Sequence, residues 1–150
     1  MAVAVTVFIL CITAEAASAS LSSAELSLLT AMNEVRVAHG LRPLRADRRL
    51  ERAARRHSAR MLRSRRMYHG AFDRRIRRVG IRAPQVGENL AWGTGSLAQA
   101  RLIVRMWLGS PSHRANLLHP GFRIVGIGAL RGSFAGYRRA LMVTTDFAGR

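Results

Sequence analysis

The sequence contains no lysine and only one cysteine. A single cysteine cannot form an internal disulfide, which excludes a small scaffold stapled by cystines. Acidic residues are scarce: 8 Asp+Glu stand against 25 basic residues, all of them arginine, for a formal charge of +17. Aromatic residues make up 6% and prolines number four. What is plentiful is apolar content, at 49% over 150 residues. That suits one domain with one core and excludes multi-domain enzymes, repeat arrays and a disordered chain. Arginine keeps its charge and favours bidentate contacts with phosphate or carboxylate. The arginines are spread along the chain, which fits solvated surfaces better than a single nucleic-acid-binding block.

Residues 2–13 form an uninterrupted apolar run that is short for a membrane span. Small-residue sites follow at Ala14-Glu15-Ala16 and Ala17-Ser18-Ala19. This is the layout of a secretory signal peptide with an A-x-A cleavage site. The expected organisation is a signal peptide over 1–19 and a single domain over 20–150, with an extracellular or cell-envelope location. Cys11 would leave with the signal. The mature chain would then depend on core packing alone, with Trp92, Trp107, Phe122 and Phe147 as anchors.

Ser22-Ser23-Ala24-Glu25 reads as a capping box opening a helix, and His39-Gly40 ends it. Asp47 reads as the N-cap of a second helix, with Leu50, Ala54, His57 and Met61 on its apolar face. Arginines fill the other face, and Arg48, Arg49, Arg52, Arg55 and Arg56 are the candidate basic surface. A short helix is expected over 73–79, with Ile76 and Val79 inward. Residues 84–94 read as irregular or strand-like. Ser96-Leu97-Ala98-Gln99 reads as a second capping box opening a helix to about Leu108, with Ile103, Met106 and Trp107 buried. Ser110-Pro111 reads as an N-cap followed by proline at the first helical position. Residues 122–130 and 138–147 read as a strand hairpin. Helices first and a hairpin last predict an α+β fold with helices packed on an antiparallel sheet.

Three segments carry chemistry: Tyr68-His69-Gly70, Gly87-Glu88-Asn89, and the run from Trp107 through Ser110 and His113 to Leu118. Two imidazoles and a carboxylate are a common first shell for a divalent metal. The same set can do acid–base work. It can also be structural, with Glu88 capping backbone N–H groups of a glycine-rich loop. The spacing matches no helical metal motif, so these readings stay open together. His57 reads as a core histidine, and His39 and His119 as solvent-facing. Ser112 and His113 are neighbours on one turn with no aspartate placed to orient the imidazole, which disfavours a serine-protease triad.

These motifs resemble the CAP superfamily (cysteine-rich secretory, antigen 5 and pathogenesis-related, or SCP-like) in its short bacterial form. The resemblance runs from about Leu28 to Phe147. It rests on Asn33 and Arg36 in the first helix, His57-Ser58, Tyr68-His69, Gly87-Glu88-Asn89, the run from Trp107 to Leu118, and the closing segments at 125–128 and 143–149. It implies a three-layer α-β-α sandwich with a cleft. His69 and His113 would be the cleft imidazoles and Glu88 one acid. The family's second acid stands three residues after the tryptophan, where this chain has Ser110. The two histidines would be the ligands of a divalent cation such as Zn2+, more weakly held without that acid.

The resulting expectation is a secreted, non-catalytic module binding a cell-envelope, lipid or protein ligand through the His69/Glu88/His113 cleft. The alternatives are a metal-assisted extracellular hydrolase and a basic binder of acidic envelope polymers, whose affinity would fall steeply with salt. No aromatic residues interleave the arginines, so sequence-specific nucleic-acid reading is not expected.

Overall fold

The computed structural model describes residues 21–149; the expected signal peptide lies outside them. The elements are α1 (Ser23–Ala38), β1 (Arg45–Ala46), α2 (Arg48–Ser64), α3 (Phe72–Arg78), β2 (Gln85–Gly93), α4 (Ala100–Leu108), α5 (Pro111–Leu117), β3 (Phe122–Phe134) and β4 (Tyr137–Gly149). The sheet order is β1-β3-β4-β2. Only the short β1–β3 pair is parallel. The fold is α+β, with helices on both faces of the sheet. None of the described helices is long and apolar enough to cross a membrane.

Strand alternation explains the three layers, because neighbouring side chains point to opposite faces. Val125, Ile127 and Ala129 of β3 join Leu141, Val143 and Phe147 of β4 in one core. Leu28 and Met32 of α1, Ile103 and Trp107 of α4, and Leu117 of α5 complete it. The opposite face carries Leu90, Met142 and Ala148, covered by α2 and α3 through Leu50, Met61 and Ile76. Phe122 and Phe147 stack at 5.4 Å between centroids. Trp107 is buried and donates its indole N–H to the Leu90 carbonyl at 3.0 Å.

The helix starts follow local chemistry. Ser22 and Glu25 form the expected reciprocal box, and the Asp47 side chain accepts from the Arg49 and Leu50 N–H groups. The β3–β4 hairpin closes on Ala135 and Gly136, both with positive φ (49° and 84°). Two consecutive left-handed residues form the tight turn that matches strand twist.

Two expectations fail around α4. Residues 95–98 form a 3-10 turn, and Gln99 is the N-cap without a side-chain bond. Ser96 accepts from the Gln99 N–H through its carbonyl, so the serine hydroxyl plays no capping part. Met106 is exposed, because α4 buries only the stripe of Ile103, Val104 and Trp107.

α2 lies directly on the hairpin because Gly126 and Gly128 have no side chains. A Cβ on Gly126 would fall inside the backbone of Leu50 and Glu51, and one on Gly128 inside that of Ala54 and Arg55. The Ser58 hydroxyl bridges this close approach, donating to the Gly128 carbonyl at 2.8 Å. Gly128→Ala is therefore expected to lose roughly 3 kcal/mol, at the upper end of overpacking costs, measured by urea denaturation. A loss below about 0.5 kcal/mol, the scale of an ordinary surface change, would contradict this packing.

Candidate functional site

β2 is an edge strand, and its alternation distributes the motif Gly87-Glu88-Asn89 over both faces of the sheet. Gly87 leaves room for Asn116 of α5 and for Phe122, which a Cβ would overlap. Asn89 points towards α5. Its side-chain N–H donates to the His113 carbonyl at 2.9 Å, and its Oδ1 accepts from Asn116 Nδ2 at 3.0 Å. Asn116 also donates to the Glu88 carbonyl at 3.0 Å. This amide pair ties α5 to the strand and so fixes where His113 stands.

Glu88 points to the other face and is buried. Its Oε1 is hydrogen-bonded to His69 Nδ1 at 2.7 Å. Its Oε2 is bonded to the guanidinium of Arg75, which reaches in from α3 and also holds Asp146 Oδ1 at 3.1 Å. Glu88 and Asp146 are directly opposed across the β2–β4 ladder. His57 approaches from α2, with Nε2 at 3.8 Å from Glu88 Oε2.

Two buried carboxyls side by side with one guanidinium cannot both ionise cheaply. Burial, then the facing Asp146, pushes Glu88 up to about 9. Burial also raises Asp146, while Arg75 and the bond to Glu88 favour its charged form. Asp146 Oδ2 is buried without a hydrogen-bond partner among the described residues. Arg75 bridges the two carboxyls, and burial raises both, Glu88 to about 9.

His69 is largely exposed, with 59% of its side-chain surface accessible. Its Nδ1 is engaged by Glu88 Oε1, which fixes the ring and leaves Nε2 outside that contact. His113 is half-buried, and its Nδ1 lies 2.9 Å from the Ser110 hydroxyl. Burial, and then the nearby His69, lowers its pKa. Ser110 occupies the expected N-cap position, but its side chain caps no backbone group. Its hydroxyl orients His113 instead.

These bonds limit metal ligation. Among the described residues no group of three or more His, Cys, Asp or Glu side chains converges to hold a metal ion. Both Glu88 oxygens are already used, one of them by a cation. A centre with three protein ligands does not fit this donor set; His69 and His113 alone would remain as ligands.

The sequence motifs placed His69, Glu88, His113 and Ser110 in one region, and the structure brings them together around β2. They missed Arg75 and Asp146. Asp146 could be found only by knowing the β2–β4 register, and Arg75 stands among many arginines with no distinguishing spacing. The expectation that Glu88 caps a glycine-rich loop is corrected: Glu88 lies within a regular strand, and alternation sends its carboxyl into the sheet–helix layer. His119 is also corrected. It is half-buried, stacked on Phe122 at 4.5 Å, and accepts from the Gly121 N–H.

The proposed basic face is only partly presented to solvent. Arg48, Arg49, Arg52 and Arg56 are exposed, and Arg55 is half-buried. Arg49 pairs with Asp47 at 3.0 Å, and Glu51 lies close enough to feel Arg48. Arg55 turns inward to the buried Glu25 of α1, with Nε at 2.7 Å.

The family model for CAP, the cysteine-rich secretory protein family, matches residues 29–147. The chain belongs to the CAP family. It is 31% identical over 122 residues to the uncharacterized protein YkwD of Bacillus subtilis, covering 77% of this chain and 46% of that one. The chain thus spans about half the length of this relative. Its fold matches that of an extracellular SCP-domain protein of Bacillus anthracis (TM-score 0.69, 23% identity, 89% of this chain and 45% of the other). It also matches an outer surface protein of Borrelia burgdorferi (TM-score 0.70, 24% identity, 82% and 90%). In this CAP domain the two motif histidines flank an edge strand, and the motif glutamate lies beneath one of them.

The buried titratable groups give a signed pH profile. Folded Glu88 keeps a proton that the unfolded chain loses near its ordinary value of 4.5, so its contribution is lost as pH rises towards about 9. Buried His57 is pressed down to about 4, chiefly by burial and then by Arg75, so its contribution is lost as pH falls from 6.5 towards 4. The two slopes oppose each other between 4.5 and 6.5. Above 6.5 the His57 slope is gone and the raised carboxyls Glu88 and Asp146 remain, so stability is expected to fall up to about pH 9. Thermal unfolding across this range should show an alkaline decline that Glu88→Gln flattens. An unchanged decline in Glu88→Gln would contradict the assignment.

Proposed function

We propose that this CAP domain is exported and acts as a non-catalytic module. It binds a cell-envelope, lipid or protein ligand at the cleft formed by His69, Glu88 and His113. The observation that carries this reading is the engagement of Glu88. In the alternative metal-assisted hydrolase, Glu88 is the group that would accept a proton from water. Glu88 already carries one and is locked between His69 and Arg75. Its role is to hold the His69 ring through Nδ1, so that Nε2 is left for a ligand. Ser110 sets His113 in the same way.

Export is supported by the layout of residues 1–19 as a cleavable signal, leaving 20–150 as the working domain. It is also supported by relatives described as an extracellular and an outer surface protein. Exposed arginines such as Arg52 and Arg56 would add salt-sensitive attraction to acidic envelope polymers.

The test uses the mature protein. Ring resonances of His69 and His113 are followed by NMR during titration with muropeptides and with phospholipid micelles, alongside peptide and ester substrate panels with and without chelator. The expected result is that both rings shift together with one ligand class and that neither panel is turned over. Chelator-sensitive turnover, lost in both His69→Ala and His113→Ala, would overturn the reading in favour of a metal-assisted hydrolase.

A further inference from the structure

A cavity of about 250 Å3 opens between α2 and α3, behind Arg75 and beside the Tyr68-His69-Gly70 turn. Its wall carries five arginines: Arg56 and Arg60 from α2, and Arg74, Arg75 and Arg78 from α3. No acidic side chain lines it. Arg75 is already held by Glu88 and Asp146. The other four are exposed and make no hydrogen bond or ion pair among the described residues. Arg56 and Arg60, like Arg74 and Arg78, are four apart, so each pair projects from one helix face. Four like charges around a small concavity repel one another and favour an anion between them.

His57 adds a feature that a merely solvated arginine cluster lacks. It lines the same cavity, is 1% exposed, and its Nδ1 is buried without a hydrogen-bond partner. Its Nε2 lies 2.7 Å from the Tyr68 carbonyl, which can only accept, so Nε2 carries the proton. Nδ1 is therefore a lone pair requiring a donor. A ligand satisfying the whole cavity offers negative oxygens to the guanidiniums and a hydroxyl hydrogen to Nδ1. Sulfate has no such hydrogen at neutral pH, and carboxylate has neither the hydrogen nor the second charge. Monohydrogen phosphate has both, and so does a phosphate ester with a neighbouring hydroxyl.

We propose that the α2–α3 cavity is a phosphate site, in which Arg56, Arg60, Arg74 and Arg78 hold the oxyanion and His57 Nδ1 accepts a hydrogen bond from a hydroxyl of the ligand. It is independent of the cleft reading, since neither His69 nor His113 takes part. Calorimetric titration of the protein with inorganic phosphate, sulfate and glycerol phosphate at matched ionic strength tests it. Phosphate is expected to bind at least about tenfold tighter than sulfate, a difference of about 1.4 kcal/mol. Arg60→Gln and Arg74→Gln are each expected to weaken phosphate binding severalfold. Both residues are exposed, so folding is not at stake. His57→Phe, if it folds, should keep anion binding and lose the preference over sulfate. Tighter binding of glycerol phosphate than of inorganic phosphate would assign the site to an ester headgroup, and the reverse order to the free ion. Equal affinity for phosphate and sulfate, no binding at all, or indifference to both arginine substitutions would overturn the proposal.

Discussion

Arg36→Met is expected to cost about 3–5 kcal/mol, the scale of breaking a buried charged network. That is a large share of the roughly 5–15 kcal/mol typical of a whole domain. Arg36 is fully buried with no acidic partner. Its guanidinium donates instead to the carbonyls of Arg42, Leu117, His119 and Phe122, at 2.7 to 3.3 Å. These carbonyls lie at the end of α5, in the turn after it, at the start of β3 and in the loop after α1. One side chain thus fastens three separated parts of the chain. Methionine would fill the volume and leave four acceptors without that donor, and unmet buried acceptors cost about 1–3 kcal/mol each before relaxation. Lysine would keep the charge but lose the planar fork, so Arg36→Lys should recover only part of the loss. Urea denaturation measures both variants. A loss below about 1 kcal/mol for Arg36→Met, the worth of one ordinary hydrogen bond, would contradict this role.

Arg75→Met is expected to be the second severe change, at about 3 kcal/mol near neutral pH for a buried charge deprived of its partner. Arg75 is the bridging cation between Glu88 and Asp146. Without it, Asp146 must ionise unaided beside a second carboxyl or keep its own proton. The loss should therefore shrink as pH falls and both carboxyls protonate. Adding Glu88→Gln to Arg75→Met should restore little, because the charge left unpaired is that of Asp146. Adding Asp146→Asn should restore more. This asymmetry, read from a double-mutant cycle, separates the assigned proton from the reverse arrangement. Equal rescue by the two substitutions would contradict it.

Much of the fold is legible in the sequence because its signals are local. The Ser22–Glu25 box, the Asp47 cap, Pro111 at the first position of α5 and the turn between β3 and β4 each depend on a few adjacent residues. The false box at Ser96–Gln99 has the right letters, but Gly95, with φ of 52°, admits a tighter turn. The site is legible only in part for the opposite reason. His69, Glu88 and His113 stand in compact motifs, whereas Asp146 enters through strand pairing and Arg75 through helix packing on the sheet. Asp146 changes the chemistry most, since it supplies a second carboxyl that Ser110 does not, but holds it buried beside Glu88, whose pKa it helps to raise. The structure thereby moves the acid pair from the surface of the site to its support.

The central claim is that Glu88 holds a proton at neutral pH and orients His69 without accepting protons from a substrate. The most direct test is an NMR titration of the Glu88 side-chain carboxyl carbon in the folded protein, assigned with Glu88→Gln. The predicted result is a carboxyl that is neutral at pH 7 and ionises towards about 9. Ionisation near the ordinary value of 4.5 would contradict the claim and return Glu88 to the role of a base.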